Sequence, residues 1–185
     1  LGVTPEMVWV KNWQSSNFFI WHTDLGNDHH ILLNGNPRQS STLYMRSASD
    51  TGFTLGTQAS GVGVNQNGEF HIMYTFATLA GISKVGSYTG NGSSSGPTVD
   101  CGFSSGPKFV LIKRATGGSN DSWIVFDTGR GLSSGNDNYI ALNNTDAEFS
   151  NVDWIDPTNA GFQVVQSNSG VKANGENYIF YAIAA

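Results

Sequence analysis

Asp153 and Asp156 bracket an indole in the string Asn151-Val152-Asp153-Trp154-Ile155-Asp156-Pro157. Two readings of that string stand side by side. One is an acidic loop whose Trp154 grips a sugar ring while Asp153 bonds its hydroxyls. The other is a turn closed by Pro157, with Trp154 as an apolar plug. Hydrolysis of a glycosidic bond needs two carboxyl groups about 5–10 Å apart across a cleft. An alternating acidic strand of the form Glu-x-Asp-x-Glu would supply them, and the chain has none. Glu69 and Glu176 each follow an Asn-Gly pair and read as solvated hairpin flanks. The single cysteine, Cys101, has no evident His partner and reads as a small apolar core residue; it also rules out an intrachain disulfide. No catalytic residue is expected, and the chain is read as a protein other than an enzyme.

Hard oxygen ligands suit calcium, and the loop holding Asp24, Asn27 and Asp28, echoed by Asp127, Asn136 and Asp137, is the set that would supply them. The same Asn-Asp chemistry also makes ordinary turns. No other cofactor is expected. His29 and His30 are adjacent on an expected strand, so their side chains point to opposite faces and do not chelate together. Sugar binding has positive support from Trp13, in the polar stretch Asn12–Asn17, because aromatic faces stack on pyranose rings. Packing against a neighbouring unit accounts for Trp13 equally well. The Gly90–Gly96 stretch is not followed by Lys-Ser/Thr, so a flexible loop suffices there. Asn120-Asp121-Ser122 and Asn143-Asn144-Thr145 fit the glycosylation acceptor pattern.

These residues must be positioned by strands. Met7–Lys11, Phe18–His22, Phe70–Ala77, Phe109–Lys113, Trp123–Asp127 and Tyr178–Ala184 are short runs rich in β-branched and aromatic residues, punctuated by Gly, Asn, Asp and Ser. Phe70–Ala77 is apolar on both faces, which places it in the middle of a doubly covered sheet or at an interface. No segment carries a capped helical stripe of useful length. The expected fold is all-β, an antiparallel sandwich or jelly roll.

The chain also repeats itself. Pro5–Lys11 matches Pro107–Lys113, Ile20–Thr23 matches Val125–Thr128, and Gly26–Asn34 matches Gly135–Asn143. Thr51-Gly52-Phe53 then matches Ala160-Gly161-Phe162, and Asn67–Tyr74 matches Asn174–Tyr181. Five blocks in one order indicate two tandem copies of one β-rich unit, residues 1–80 and 81–185, either separate or merged into one sandwich. The second copy opens with a leader, residues 81–103, of which the first has only a tail-like Leu1–Thr4; a longer repetitive parent polypeptide is expected.

Charged residues are 12% of the 185, about half the usual share, and 23 glycines sit among many Ser, Thr and Asn. A net charge of -5 with scattered Lys and Arg leaves no nucleic-acid footprint. No apolar run is long enough to span a membrane as a helix. Neutral polar solubility fits a secreted or virion setting.

The blocks Ser83–Gly92, Val99–Phe103, Pro107–Arg114, Trp123–Thr128 and Tyr178–Ala182 resemble a repeat domain of unknown function found in tail-fibre and appendage proteins of marine and cyanobacterial phages. The strand pattern is more loosely similar to concanavalin A-like lectin sandwiches. The first resemblance implies an extracellular or virion structural module, part of a fibre, that touches host-surface glycan or neighbouring virion subunits and works as a homo-oligomer, a trimer being one such form. Two other readings remain: a glycan-cleaving enzyme on a lectin-like sandwich, and a pure assembly or decoration protein.

Overall fold

Runs such as Met7-Val8-Trp9-Val10 put bulky side chains on alternate faces of an extended backbone, and glycine or Asn-Asp pairs end each run. The result is a chain of short antiparallel strands. The computed structural model describes residues 2–14, 17–35, 39–57, 63–116, 122–166 and 168–185. They fall into two units, Leu1–Ala77 and Thr78–Ala185.

In the first unit the described strands are β1 (Met7–Asn12), β2 (Phe18–His22), β3 (His29–Leu32), β4 (Gln39–Ser40), β5 (Met45–Ser49), β6 (Gly52–Leu55) and β7 (His71–Phe76). A five-stranded sheet runs β4-β3-β2-β1-β7, and β5 pairs with β6. Val8 and Val10 of β1 meet Phe19 and Trp21 of β2 in one core with Met45 and Val64. Trp21 packs on Phe53 of β6 at 5.1 Å between ring centroids. Side chains of the sheet and of the hairpin thus share this core.

The second unit contains β8 (Ser83–Thr89), β9 (Thr98–Asp100), β10 (Pro107–Arg114), β11 (Ile124–Asp127), β12 (Asp137–Ala141), β13 (Phe149–Val152), β14 (Ile155–Thr158), β15 (Gly161–Val164), the one-turn helix α1 (Ser169–Lys172) and β16 (Asn177–Ala184). Its larger sheet runs β13-β12-β11-β10-β16-β8 and its smaller one β14-β15-β9. Val110, Ile112, Phe126, Phe180 and Ala182 of the larger sheet share a core with Val99, Ile155, Phe162 and Val164 of the smaller. Cys101 lies in that core, and burial pushes its thiol up to about 12. Lys172, fully buried, donates from Nζ to the carbonyls of Val164 (3.2 Å) and Val165 (3.0 Å).

Three local features depart from expectation. β7 ends its sheet instead of lying in the middle, and Phe70, Ile72, Met73 and Tyr74 are exposed. The pairs Asn67-Gly68 and Asn174-Gly175 lead into β7 and β16 without closing hairpins. Only the glycines are left-handed there, Gly68 at φ 79° and Gly175 at φ 75°, so the turns are not the doubly left-handed kind. Glu69 and Glu176 are not free flanks either. Asn12 donates from Nδ2 to Glu69 Oε2, and Arg114 reaches Glu176 at 3.3 Å, so each glutamate ties its turn to the end of a neighbouring strand.

His30, 1% exposed, is wedged against Phe19 and Tyr44 at 5.3 and 5.0 Å. Burial, opposed by the nearby Gln39 side chain and aided by His29, holds its pKa down at about 4. The unfolded chain therefore binds a proton there that the folded chain refuses between about pH 6.5 and 4, and stability falls with pH across that window by up to about 3 kcal/mol. His30→Phe keeps the aromatic packing and removes the titration. Denaturant melts at pH 7 and pH 4.5 should show a smaller pH difference for His30→Phe than for wild type; equal differences would reject this origin.

Candidate functional site

The second unit carries an open cleft of about 240 Å³ lined by β11, β12, β13 and the loops beside them. Ile124, Tyr139 and Ala141 come from strands whose alternation turns these side chains to one face. Phe149 enters from β13, and Trp154 follows in the short link to β14. Tyr139 lies stacked between the two, 4.7 Å from Phe149 at 10° and 4.6 Å from Trp154 at 27°. Polar groups rim the aromatic floor: Asn144 and Asp146 from the turn after β12, and Asn168 and Ser169 from the start of α1. Asn144 donates from Nδ2 to Asp146 Oδ2 at 2.7 Å and accepts from the Asp146 amide, an Asx turn that fixes both side chains. Asn168 caps α1 by accepting from Gly170 N at 2.8 Å. Burial, and then the charge of Asp146, raises the pKa of Tyr139, so its phenol stays protonated.

Trp154 satisfies both of its sequence readings. One edge packs T-shaped against fully buried Phe126 at 6.4 Å, and the ring also lines the cleft. Asp153 does not line the cleft but joins an acidic group with Asp137 and Asp156. Asp137 is 1% exposed, and its pKa is raised to about 7 by burial, aided by the charges of Asp156 and Asp153 and opposed by the bond from Ser133 N. Asp156 accepts from Gly135 N at 2.8 Å. Among the described residues, Oδ2 of Asp137 and Oδ1 of Asp153 are buried without a hydrogen-bond partner.

The other calcium candidates have different occupations. Asp127 accepts from Arg130 N at 2.9 Å, capping a 3-10 turn, and pairs with the Arg130 guanidinium. His22 Nδ1 caps the equivalent turn in the first unit by accepting from Asp24 N at 3.1 Å. The exchange of His22 for Asp127 thus preserves an acceptor. Asp28 pairs with Arg46 at 3.1 Å, and the carbonyl of Asn27 bonds the His29 ring. Among the described residues, no group of three or more His, Cys, Asp or Glu is arranged to hold a metal ion.

Trp13 is 72% exposed at the end of β1, and its amide donates to the carbonyl of Phe70, itself 85% exposed. Strings of the form Gly-x-Ser-x-Gly occur at 92–96, 102–106 and 131–135. All three lie in loops between strands, not on the strand-to-helix turn that exposes a nucleophile. Asn120 and Asp121 lie outside the described residues; Asn144 of the other acceptor string lines the cleft. Sequence reasoning missed Tyr139 and Phe149, although Tyr139 lies two residues from Asp137 and Phe149 two residues from the Asn151–Pro157 string; the β12–β13 pairing is what sets them side by side.

A family model described as Domain of unknown function (DUF7483) matches residues 1–185. The chain belongs to this family. Its description assigns no activity. No curated protein and no solved structure matches the chain. Among the described residues no helix is long and apolar enough to cross a membrane.

Raising the Asp137 pKa above its unfolded value of 3.8 means that stability present below pH 3.8 is lost as pH rises through about 7. Asp137→Asn keeps an acceptor for Ser133 N and removes the buried charge. At pH 8 this variant should unfold at higher denaturant than wild type, by the equivalent of about 1 kcal/mol or more, with the gap closing at pH 4. A variant less stable at pH 8 would contradict that ionisation cost.

Proposed function

We propose that the chain is a non-catalytic surface module that binds carbohydrate in the Tyr139–Phe149–Trp154 cleft and serves in adhesion as part of a virion fibre or appendage. The observation that carries the reading is the cleft itself: stacked aromatic faces beside an amide and a carboxylate held by an Asx turn. Pyranose rings offer apolar C–H faces to stack on such rings, and hydroxyls that suit fixed Asn and Asp side chains. The virion setting draws on the likeness of Ser83–Gly92 and Pro107–Arg114 to phage repeat domains and on the charge-poor composition.

The same proposal takes each unit as a two-layer sandwich and the two as copies of one design. Support comes from the strand orders: β3-β2-β1-β7 and β12-β11-β10-β16 run through sequence-matched strands in the same succession. The paired hairpins β5-β6 and β14-β15 hold the matched blocks Thr51–Phe53 and Ala160–Phe162.

Phe149 is 37% exposed and Asn144 is exposed, so truncating either leaves the core intact. A glycan array should find ligands whose binding weakens about tenfold, roughly 1.4 kcal/mol, in Phe149→Ala and in Asn144→Ala. A blank array, or binding that survives both substitutions, removes the cleft from the account.

A further inference from the structure

The cleft has a sign as well as a shape. Among the described residues that line it, Asp146 is the one that carries a charge, and it is exposed to solvent. Its Oδ2 accepts from Asn144 Nδ2 at 2.7 Å, and its amide donates to Asn144 Oδ1 at 3.3 Å. The carboxylate is therefore fixed in direction, while one amide donor takes up only part of the roughly four acceptor positions that two carboxylate oxygens offer.

The basic residues of the second unit do not offset that charge. Arg130 is engaged by Asp127 and, at 3.2 Å, by Glu148, and Arg114 by Glu176. Lys113 and Lys172 are buried, and Lys172, on the helix beside the cleft, turns its Nζ to the carbonyls of Val164 and Val165. Lys84 and Lys108 stand on β8 and β10, which contribute no lining residue. Residues 117–121 and 167, which adjoin lining residues in sequence and lie outside the described set, contain no Lys or Arg.

The aromatic row acts in the same direction. Ring faces carry the negative lobe of the aromatic quadrupole and attract cations as well as apolar C–H groups. The charge of Asp146 reaches these rings, for after burial it is the second cause of the raised pKa of Tyr139. An anionic sugar entering the cleft meets a fixed carboxylate with no cation to answer it. A neutral sugar gains stacking and ordinary hydrogen bonds. A sugar with a protonated amine gains both and adds a charge-assisted bond to Asp146, the stronger kind.

We propose that the cleft selects amino sugars: it holds a glycan unit bearing a free ammonium group, bonded to Asp146 while the pyranose face lies on the Phe149–Tyr139–Trp154 row, and it turns away glycans that carry carboxylates. The proposal rests on the reading of the cleft as a carbohydrate site and names the class of sugar that site takes. The polar rim thereby acquires a division of labour. Asn144 sets the direction of the carboxylate, and the carboxylate sets the choice of ligand.

The test is calorimetric titration of the full chain, at about pH 6, with a glucosamine tetramer, its N-acetylated counterpart and a galacturonic acid tetramer. The glucosamine tetramer should bind at least tenfold more tightly than the acetylated one, and the galacturonic acid tetramer should not saturate. Raising the salt from about 0.05 to about 0.5 M should narrow the gap, because the added attraction is partly solvent-exposed. Asp146→Asn keeps an oxygen acceptor for Asn144; it should erase the preference and leave the acetylated tetramer's affinity and the unfolding midpoint unchanged. Phe149→Ala should weaken both tetramers. Equal affinities, or a preference that survives Asp146→Asn, overturn the selection. So does a preference lost equally in Asp50→Asn, which removes an exposed carboxylate from the other unit and would point to general attraction by an acidic chain. Tetramethylammonium bound as tightly as the tetramer would show that the cleft reads charge without sugar, and would also overturn it. In these cases acetylated-tetramer binding that still weakens in Phe149→Ala keeps the carbohydrate reading, whereas failure of every tetramer to bind removes that reading and the selection with it.

Discussion

Every buried or semi-buried backbone N–H and C=O requires a partner, and in a chain with one single-turn helix and two 3-10 turns among its described residues that partner is nearly always a neighbouring strand. Sheet order is therefore the constraint from which the rest follows. It decides which strands are covered on both edges, which side chains face a core, and where the molecule still has pairing capacity. β10 and β16 lie between neighbours in the second unit; β7, matched to β16 in sequence, ends its sheet among the described residues, with half its backbone groups turned outward.

The cleft follows from the same constraint. Tyr139 comes from β12, Phe149 from β13 and Trp154 from the link beyond, and only the pairing of Tyr139 with Phe149 in the β12–β13 register sets the three rings in a row. The floor of the cleft is thus an outgrowth of the core: Trp154 reaches Phe126 inside while presenting its ring outside. A site built this way is held by the packing of its rings against the core. Its polar rim, in contrast, rests on one Asx turn and one helix cap, both local devices that substitutions can alter without touching the core.

Strand existence was legible in the chain. Phe18–His22 forms with the expected bounds, and Met7–Lys11 and Tyr178–Ala184 shift by only a residue, because period-2 patterning and glycine punctuation are local properties. Sheet position was not. The residues of β7 and β16 look alike, and what separates them is the presence of a strand some ninety residues away in sequence. The Asn-Gly pairs misled for a similar reason: the dipeptide specifies a turn, but the element before it decides whether a hairpin results. Trp154 was visible as a candidate because it is an indole among acids. Tyr139 and Phe149 were not, since nothing in their neighbourhoods distinguishes an aromatic that lines a cleft from one that fills a core. Asp127 reads in the sequence as a calcium ligand, although it, like His22, accepts a backbone hydrogen bond at the start of a 3-10 turn, a role that a sequence shows only after the turn is known.

The central claim is that the outer edge of β16 is paired while that of β7, its match in sequence, is not, among the described residues. Native-state hydrogen exchange on the free chain tests it directly. The amides of Phe180 and Ala182, which face β8, should exchange at least a hundredfold more slowly than those of Met73 and Thr75, a gap of about 2.7 kcal/mol or more in opening free energy. Equal protection at the four amides would contradict the account.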